Sequence, residues 1–293
     1  MDINLTNALA DLTITSISKV SEGLESDVYK VYSSTYEQFL VVKVPKQIVY
    51  HNENDQDLSA KGLYMQDYLI SEHLIRNGFS KVPRVFDLKE IDGCPILIQE
   101  YVEGDNAEFH EGEYDEFGQE LKKIHDMPLP DFKLIAQEGQ EDVNNTIIER
   151  IFKRIVAMNK LAGTDIHLPS KDVLTNVLKN GSNKKSLLHM DLRAENILRK
   201  NHNILVFIDW SNALIGDPLL EFARANEYGL PVENILSGYG EYPLTSTAQE
   251  LIYRLDTAIM LGIVFLSSAP NKLRAEQQIN RVKQLNDRLI EKI

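Results

Sequence analysis

The chain has one cysteine, Cys94, in 293 residues, so no internal disulfide can form. That fits a reducing compartment, and Cys94 reads as a small residue beside the Asp92-Gly93 turn. Positive charge is also scarce: 31 Lys and Arg stand against 44 Asp and Glu, a formal net charge of −13. A general nucleic-acid binder needs a basic stripe to neutralise phosphates, so the balance argues against that class. The acidic balance permits a cationic ligand, although solubility alone accounts for it. Long apolar runs are missing too. The longest, residues 258–266, is too short to span a bilayer and reads as a buried helix. The first residues, Met1-Asp2 and then Asp11, lack the positive start and apolar block of a signal peptide. The expectation is a cytoplasmic protein with no membrane or nucleic-acid partner. With 43% hydrophobic residues, there is ample material for a core.

The pattern divides the chain in two. Extended runs at 12–20, 28–32, 39–44 and 95–100 are interrupted by one helix over 58–77, closed by Asn77-Gly78. Val82-Pro83 then restarts extended chain. Beyond Glu103 the period changes. Tyr114, Phe117, Leu121 and Ile124 recur at helical spacing, so a helix runs to His125 and stops before Pro128. Further helices are expected over 144–161, 171–179 and 271–293. Short strands fall at 187–190, 197–199 and 204–208, the last two joined by the polar turn 200–203. Strands first and helices afterwards indicate an α+β protein in two parts, with a boundary at about 99–104. The acidic stretch Glu103, Asp105, Glu108, Glu111, Glu113, Asp115, Glu116 and Glu120 reads as a solvated loop and helix face; a polycationic ligand is the alternative.

The densest chemistry is His189-Met190-Asp191-Leu192-Arg193-Ala194-Glu195-Asn196, with Asp209 thirteen residues on, after the apolar Val206-Phe207-Ile208. Singly, His189 beside a turn or Asp209 at a strand end would be structural. Together, in this order and strand context, they suit phosphoryl transfer. That reaction needs one carboxylate to orient the attacking hydroxyl, and further oxygen ligands to hold magnesium on a triphosphate. A His189/Asp191 transition-metal site lacks further His or Cys at ligand spacing.

This segment resembles the kinase catalytic loop, His-x-Asp-x-x-x-x-Asn, followed by the magnesium-binding aspartate. It is most similar to the aminoglycoside phosphotransferase and choline kinase-like families. Asp209-Trp210-Ser211 stands where a protein kinase has Asp-Phe-Gly, Gly216-Asp217-Pro218 follows, and no Ala-Pro-Glu segment appears. The resemblance implies that Asp191 is the catalytic base and that Asn196 and Asp209 bind Mg2+. His189 would support the loop, and Arg193 would contact phosphate or acceptor, or pair with an acid. Glu221 takes the place of the family's usual aspartate, whose role is to brace the loop; His125 reads as structural.

Lys43 lies in the apolar run Phe39-Leu40-Val41-Val42-Lys43-Val44 and is costly there unless it meets an anion. By resemblance it binds the α/β-phosphates and pairs with an acid on the next helix. Glu72 is favoured on chemical type, and Asp67 stays open by position. Gly23 and Ser26, in Ser21-Glu22-Gly23-Leu24-Glu25-Ser26, stand where a nucleotide-covering loop belongs, reduced here to a single glycine. Glu100, Tyr101 and Val102 resemble the hinge whose backbone holds the purine.

The implied fold is bilobal and protein kinase-like. Residues 1–99 form a small antiparallel β lobe that binds nucleotide, and 100–293 a larger, mainly helical lobe for catalysis and acceptor binding. The implied activity is transfer of the γ-phosphoryl group of ATP or GTP to a hydroxyl of a small molecule. An aminoglycoside-type antibiotic is the favoured acceptor; choline-like, sugar and macrolide acceptors stay open. Two rivals remain: a protein kinase, weakened by the missing activation segment, and a catalytically silent nucleotide-binding module, weakened by the retained Lys43, Asp191, Asn196 and Asp209.

Overall fold

In the computed structural model the N-terminal strands form wherever β-branched and aromatic residues alternate. The structure describes residues 5, 9–23, 25–51, 54, 57–106, 109–110, 112–137, 142–182, 184–201, 203–240 and 247–293. Strands β1 (Ile14–Glu22), β2 (Ser26–Ser33) and β3 (Gln38–Pro45) are followed by the short pair β4 (Val49–Tyr50) and β5 (Leu58–Ser59). Helix α1 (Ala60–Arg76) comes next, then β6 (Val85–Ile91) and β7 (Cys94–Glu100). The five long strands make one antiparallel sheet in the order β1-β2-β3-β7-β6. A tight turn joins β6 to β7, with Asp92 and Gly93 both at positive φ, as a two-residue hairpin of matching twist requires.

Alternation sorts the sheet's side chains. Val31, Leu40, Val42, Ile96 and Ile98 form the core of one face with Leu9 and Leu12. Cross-strand register puts Val28, Lys43 and Leu97 on the opposite face, and Lys30 with Val41 and Gln99 beside them. On that face Tyr64 of α1 packs with Leu97 and Val85. Helix α1 starts where Ser59 Oγ accepts from Gly62 N at 3.0 Å, and ends at Asn77-Gly78 as expected.

The remaining elements are α2 (Glu113–His125), α3 (Val143–Ala162), α4 (Lys171–Lys179), β8 (Ser186–Leu188), β9 (Ile197–Lys200), β10 (Asn203–Phe207) and β11 (Leu214–Gly216). They end with α5 (Pro218–Glu227), α6 (Val232–Tyr239), α7 (Ala248–Ile263) and α8 (Lys272–Ile290). The chain packs as two units, one of residues 1–51, 57–108 and 194–211, the other of 52–56, 109–193 and 212–293. The β9–β10 hairpin therefore belongs to the first unit, bridged to Asp105 through Arg199, while β8 pairs with β11 in the second unit.

The second unit's core gathers Ile147, Ile151, Leu219, Leu255, Ile259 and Leu285 from α3, α5, α7 and α8. Residues 248–268, α7 and its continuation, are long and apolar enough to cross a membrane, a longer apolar helix than 258–266 suggested. They serve as a core helix: 61% of the most apolar window is buried. Helices α2 and α6 cross at Gly118 and Gly238, where a Cβ would stand 2.0 Å from Ile235 O and 1.9 Å from Asp115 O. Only glycine permits that approach.

The start of the chain differs from its pattern. Residues 10–12 form a short 3-10 turn, and β1, starting at Ile14, is largely exposed. Loose alternation there reflects a sheet edge that only one strand covers. The acidic stretch also differs. Glu113 is buried and its carboxylate accepts from His110 N at 2.8 Å, while buried Glu120 pairs with Lys123 at 2.9 Å. Glu108 and Glu111 lie outside the described residues.

Candidate active site

In the first unit, Lys43 projects from β3 toward α1. Its Nζ donates to Asp67 Oδ2 at 2.9 Å, with side-chain exposures of 14% and 8%, so the pair is nearly desolvated. Burial pushes the ammonium down, but the charges of Asp67 and Asp209 outweigh it and hold Lys43 above its ordinary value. The expected partner Glu72 is corrected to Asp67. Asp67 shares the buried helix face of Leu63, Ile70 and Leu74, whereas Glu72 lies five positions on, about 140° round the helix. Burial of the face decided the partner, not the length of the acid.

Asp67 has a second task. Its Oδ1 accepts from Trp210 N at 2.9 Å, and Gln66 Nε2 donates to Trp210 O and Ser211 O, both at 2.8 Å. Helix α1 thus grips the turn Asp209-Trp210-Ser211. Asp209 has φ +65°, an unusual backbone conformation for a non-glycine residue, and its Oδ1 accepts from Ser211 Oγ at 2.8 Å. Asn196 ends a short 3-10 turn, is buried, and accepts from Ile208 N at 2.9 Å through its backbone oxygen. That bond extends the β9–β10 hairpin and sets Asn196 opposite the residue before Asp209. One carboxylate and one amide oxygen are hard donors suited to Mg2+, which takes its remaining ligands from water and phosphate. Among the described residues no group of three His, Cys, Asp or Glu forms a rival metal site.

Gly23 N donates to Ser26 O at 2.9 Å, closing the turn before β2, and Ser26 Oγ bonds Tyr64 Oη at 2.8 Å. Glu100 ends β7, with its N–H given to Arg84 O at 2.8 Å and its carboxylate accepting from Arg84 N at 3.2 Å. The Tyr101 ring lies against Lys30 Nζ at 3.9 Å, and Val102 follows outside the strand.

In the second unit, Asp191 follows Met190, whose φ is +64°. Glu221 Oε1 accepts from Met190 N at 2.5 Å, and its Oε2 bonds His125 Nε2 at 2.7 Å. His125 Nδ1 in turn meets Tyr239 Oη at 3.0 Å. Glutamate therefore braces the loop despite replacing the aspartate of the resembled families. Asp191 N donates to His189 Nδ1 at 3.3 Å.

Each oxygen of the Asp191 carboxylate meets a side chain. Arg193 NH2 donates to Oδ2 and Tyr228 Oη to Oδ1, each at 3.0 Å. Burial raises its pKa, but Arg193, Arg224 and the Tyr228 hydrogen bond outweigh that and hold the carboxyl below the usual range. Burial pushes the Tyr228 phenol up to about 12, so it stays a donor at neutral pH. Arg224 and Tyr228 were not singled out in the sequence. The only signal was an Arg-x-x-x-Tyr spacing, one helical turn, after Asp217-Pro218.

The model of the APH phosphotransferase enzyme family matches residues 16–246, most of the chain. The chain belongs to this family. It is a phosphotransferase. No curated protein matches the sequence. Solved structures share its kinase-like α+β fold at low identity. A fructosamine-3-kinase-like protein from Haemophilus somnus 129PT superposes with TM-score 0.70 at 17% identity, over 96% of each chain. An aminoglycoside 2'-phosphotransferase-IIIa mutant in its GDP complex gives 0.66 at 14%, over 96% of this chain and 94% of that one. The aminoglycoside phosphotransferase APH(4)-Ia, in a ternary complex with AMP-PNP and hygromycin B, gives 0.61 at 17%, over 98% and 99%.

Proposed function

We propose that this phosphotransferase moves the γ-phosphoryl group of ATP or GTP to a hydroxyl of a small molecule, with magnesium. The observation that carries the reading is the Lys43–Asp67 pair, whose acid also holds the backbone beside Asp209. A desolvated lysine kept charged beside a candidate metal ligand is what a triphosphate requires. Residues 1–99 would supply most of the nucleotide site: Lys43 on the phosphates, the Gly23–Ser26 turn over them, and the backbone of Glu100, Tyr101 and Val102 on the purine. Residues 100–293 would supply catalysis and the acceptor site.

Asn196 and Asp209 would hold Mg2+, which supplies charge neutralisation on the phosphates. Asp191 accepts the acceptor's hydroxyl proton as the new O–P bond forms and the bond to the departing diphosphate breaks. Its depressed pKa suits orientation of the hydroxyl and late proton capture. Neighbouring structures in complex with GDP, or with AMP-PNP and hygromycin B, support a nucleotide donor and an aminoglycoside-type acceptor.

A sugar-type acceptor is the second reading. Arg193 and Arg224 both act on Asp191, and such a setting favours a neutral or anionic polyol over a polycation. A coupled assay of nucleoside diphosphate release, with Mg2+ and ATP or GTP, would be run over aminoglycosides, macrolides, choline and simple sugars. Acceptor-dependent release that chelation abolishes supports the proposal. Acceptor-independent rates for every compound and both nucleotides would sink it.

A further inference from the structure

Two side chains of different character reach the oxygens of Asp191. Arg193 is 45% exposed and reaches Oδ2 from the loop itself. Tyr228 comes from the C-terminal end of α5 and reaches Oδ1. The tyrosine is itself fixed, because Arg224 Nε donates to its oxygen at 3.0 Å and Arg224 is 95% buried. Arginine has donors and no acceptor, so the Tyr228 oxygen must accept there, and its hydroxyl hydrogen is left for Asp191. Two guanidinium groups also stand near the phenol ring, Arg224 at 5.5 Å and Arg193 at 6.0 Å from its centroid.

We propose that Tyr228 is a positioning residue for phosphoryl transfer: anchored by Arg224, it fixes the Asp191 carboxylate while the exposed Arg193 is released to the substrate. The inference rests on Asp191 being the base. A carboxylate held only by Arg193 would turn when that arginine bound a phosphate. Tyr228 keeps Oδ1 in place while the acceptor hydroxyl approaches Oδ2. The proton passes from the acceptor to Asp191, and Tyr228 keeps its own.

The test is Tyr228→Phe, which removes one oxygen and keeps the ring. A base that has lost its orientation slows transfer by about 10- to 100-fold in kcat. KM for nucleotide should stay within about twofold, because Tyr228 acts only after binding. Basal hydrolysis of the nucleotide, in which water takes the acceptor's place, should slow in parallel. Unchanged kcat in Tyr228→Phe beside an active wild type overturns this inference alone. So does a variant whose kcat, nucleotide KM and melting temperature all worsen together, the mark of a merely structural role. A wild type that neither transfers nor hydrolyses overturns the phosphotransfer reading as well.

Discussion

Removing Asp67 isolates the energetics at the heart of the first unit. Asp67→Ala leaves the Lys43 ammonium nearly desolvated and without its 2.9 Å partner. Breaking a buried pair from one side costs about 3–5 kcal/mol. The substitution also takes the acceptor from Trp210 N, in a residue 2% exposed, worth about 1–3 kcal/mol more. The charge of Asp209 remains near Lys43 and offsets part of this, so a loss of about 3–5 kcal/mol is expected. Asp67→Asn keeps an acceptor for Trp210 and should lose less. The double variant Lys43→Met/Asp67→Asn removes both charges and should lie within about 2 kcal/mol of wild type. Trp210 is the chain's single tryptophan, so its fluorescence during urea unfolding reports on this unit. Single-variant losses that simply add in the double, to within about 0.5 kcal/mol, would refute the argument that the two charges depend on each other.

Three further outcomes follow from the second unit. The folded Asp191 pKa lies below the ordinary value of about 3.9, so its contribution to stability is complete above that value and is lost as pH falls through the lower folded one. Stability of Asp191→Asn, measured by urea unfolding, should therefore converge on wild type only below about pH 4, and a gap that closes nearer neutrality contradicts the depressed value. Gly238→Ala drives a Cβ into Asp115 O and should cost at least about 1–3 kcal/mol by thermal unfolding; a neutral result would mean α2 and α6 do not cross there. Glu221→Ala strips Met190 N and His125 of their shared acceptor, so transfer should slow more than tenfold, about 1.4 kcal/mol, while Glu221→Gln, which still accepts from Met190 N, should keep more activity.

Much of this was legible before any coordinates. Asp191, Asn196 and Asp209 carry their order and strand context in the sequence, and the lysine in an apolar strand announced a buried anion. The partner of Lys43 was less so. Residue type pointed to Glu72, while helix phase pointed to Asp67 beside Leu63, Ile70 and Leu74. Phase prevailed because a lysine on a sheet face can only meet the helix face packed against it. Glu113 and Glu120 read as solvated because charge usually is, yet both are buried, one against a backbone N–H at a helix start and one against a nearby lysine. Arg224 and Tyr228 were invisible because no motif contains them. Their roles arise from the return of α5 beside the loop that carries Asp191, a contact between residues more than thirty positions apart.

The central claim is that Asp191 takes the acceptor's proton in a transfer of the γ-phosphoryl group. The most direct test follows the reaction by phosphorus NMR, with a productive acceptor, for wild type and Asp191→Ala. The account predicts loss of the γ signal and growth of a phosphate-ester signal on the acceptor in the wild type. In Asp191→Ala that conversion should slow by about 10²- to 10⁴-fold, with nucleotide affinity retained. A variant that forms the ester at the wild-type rate would contradict the account.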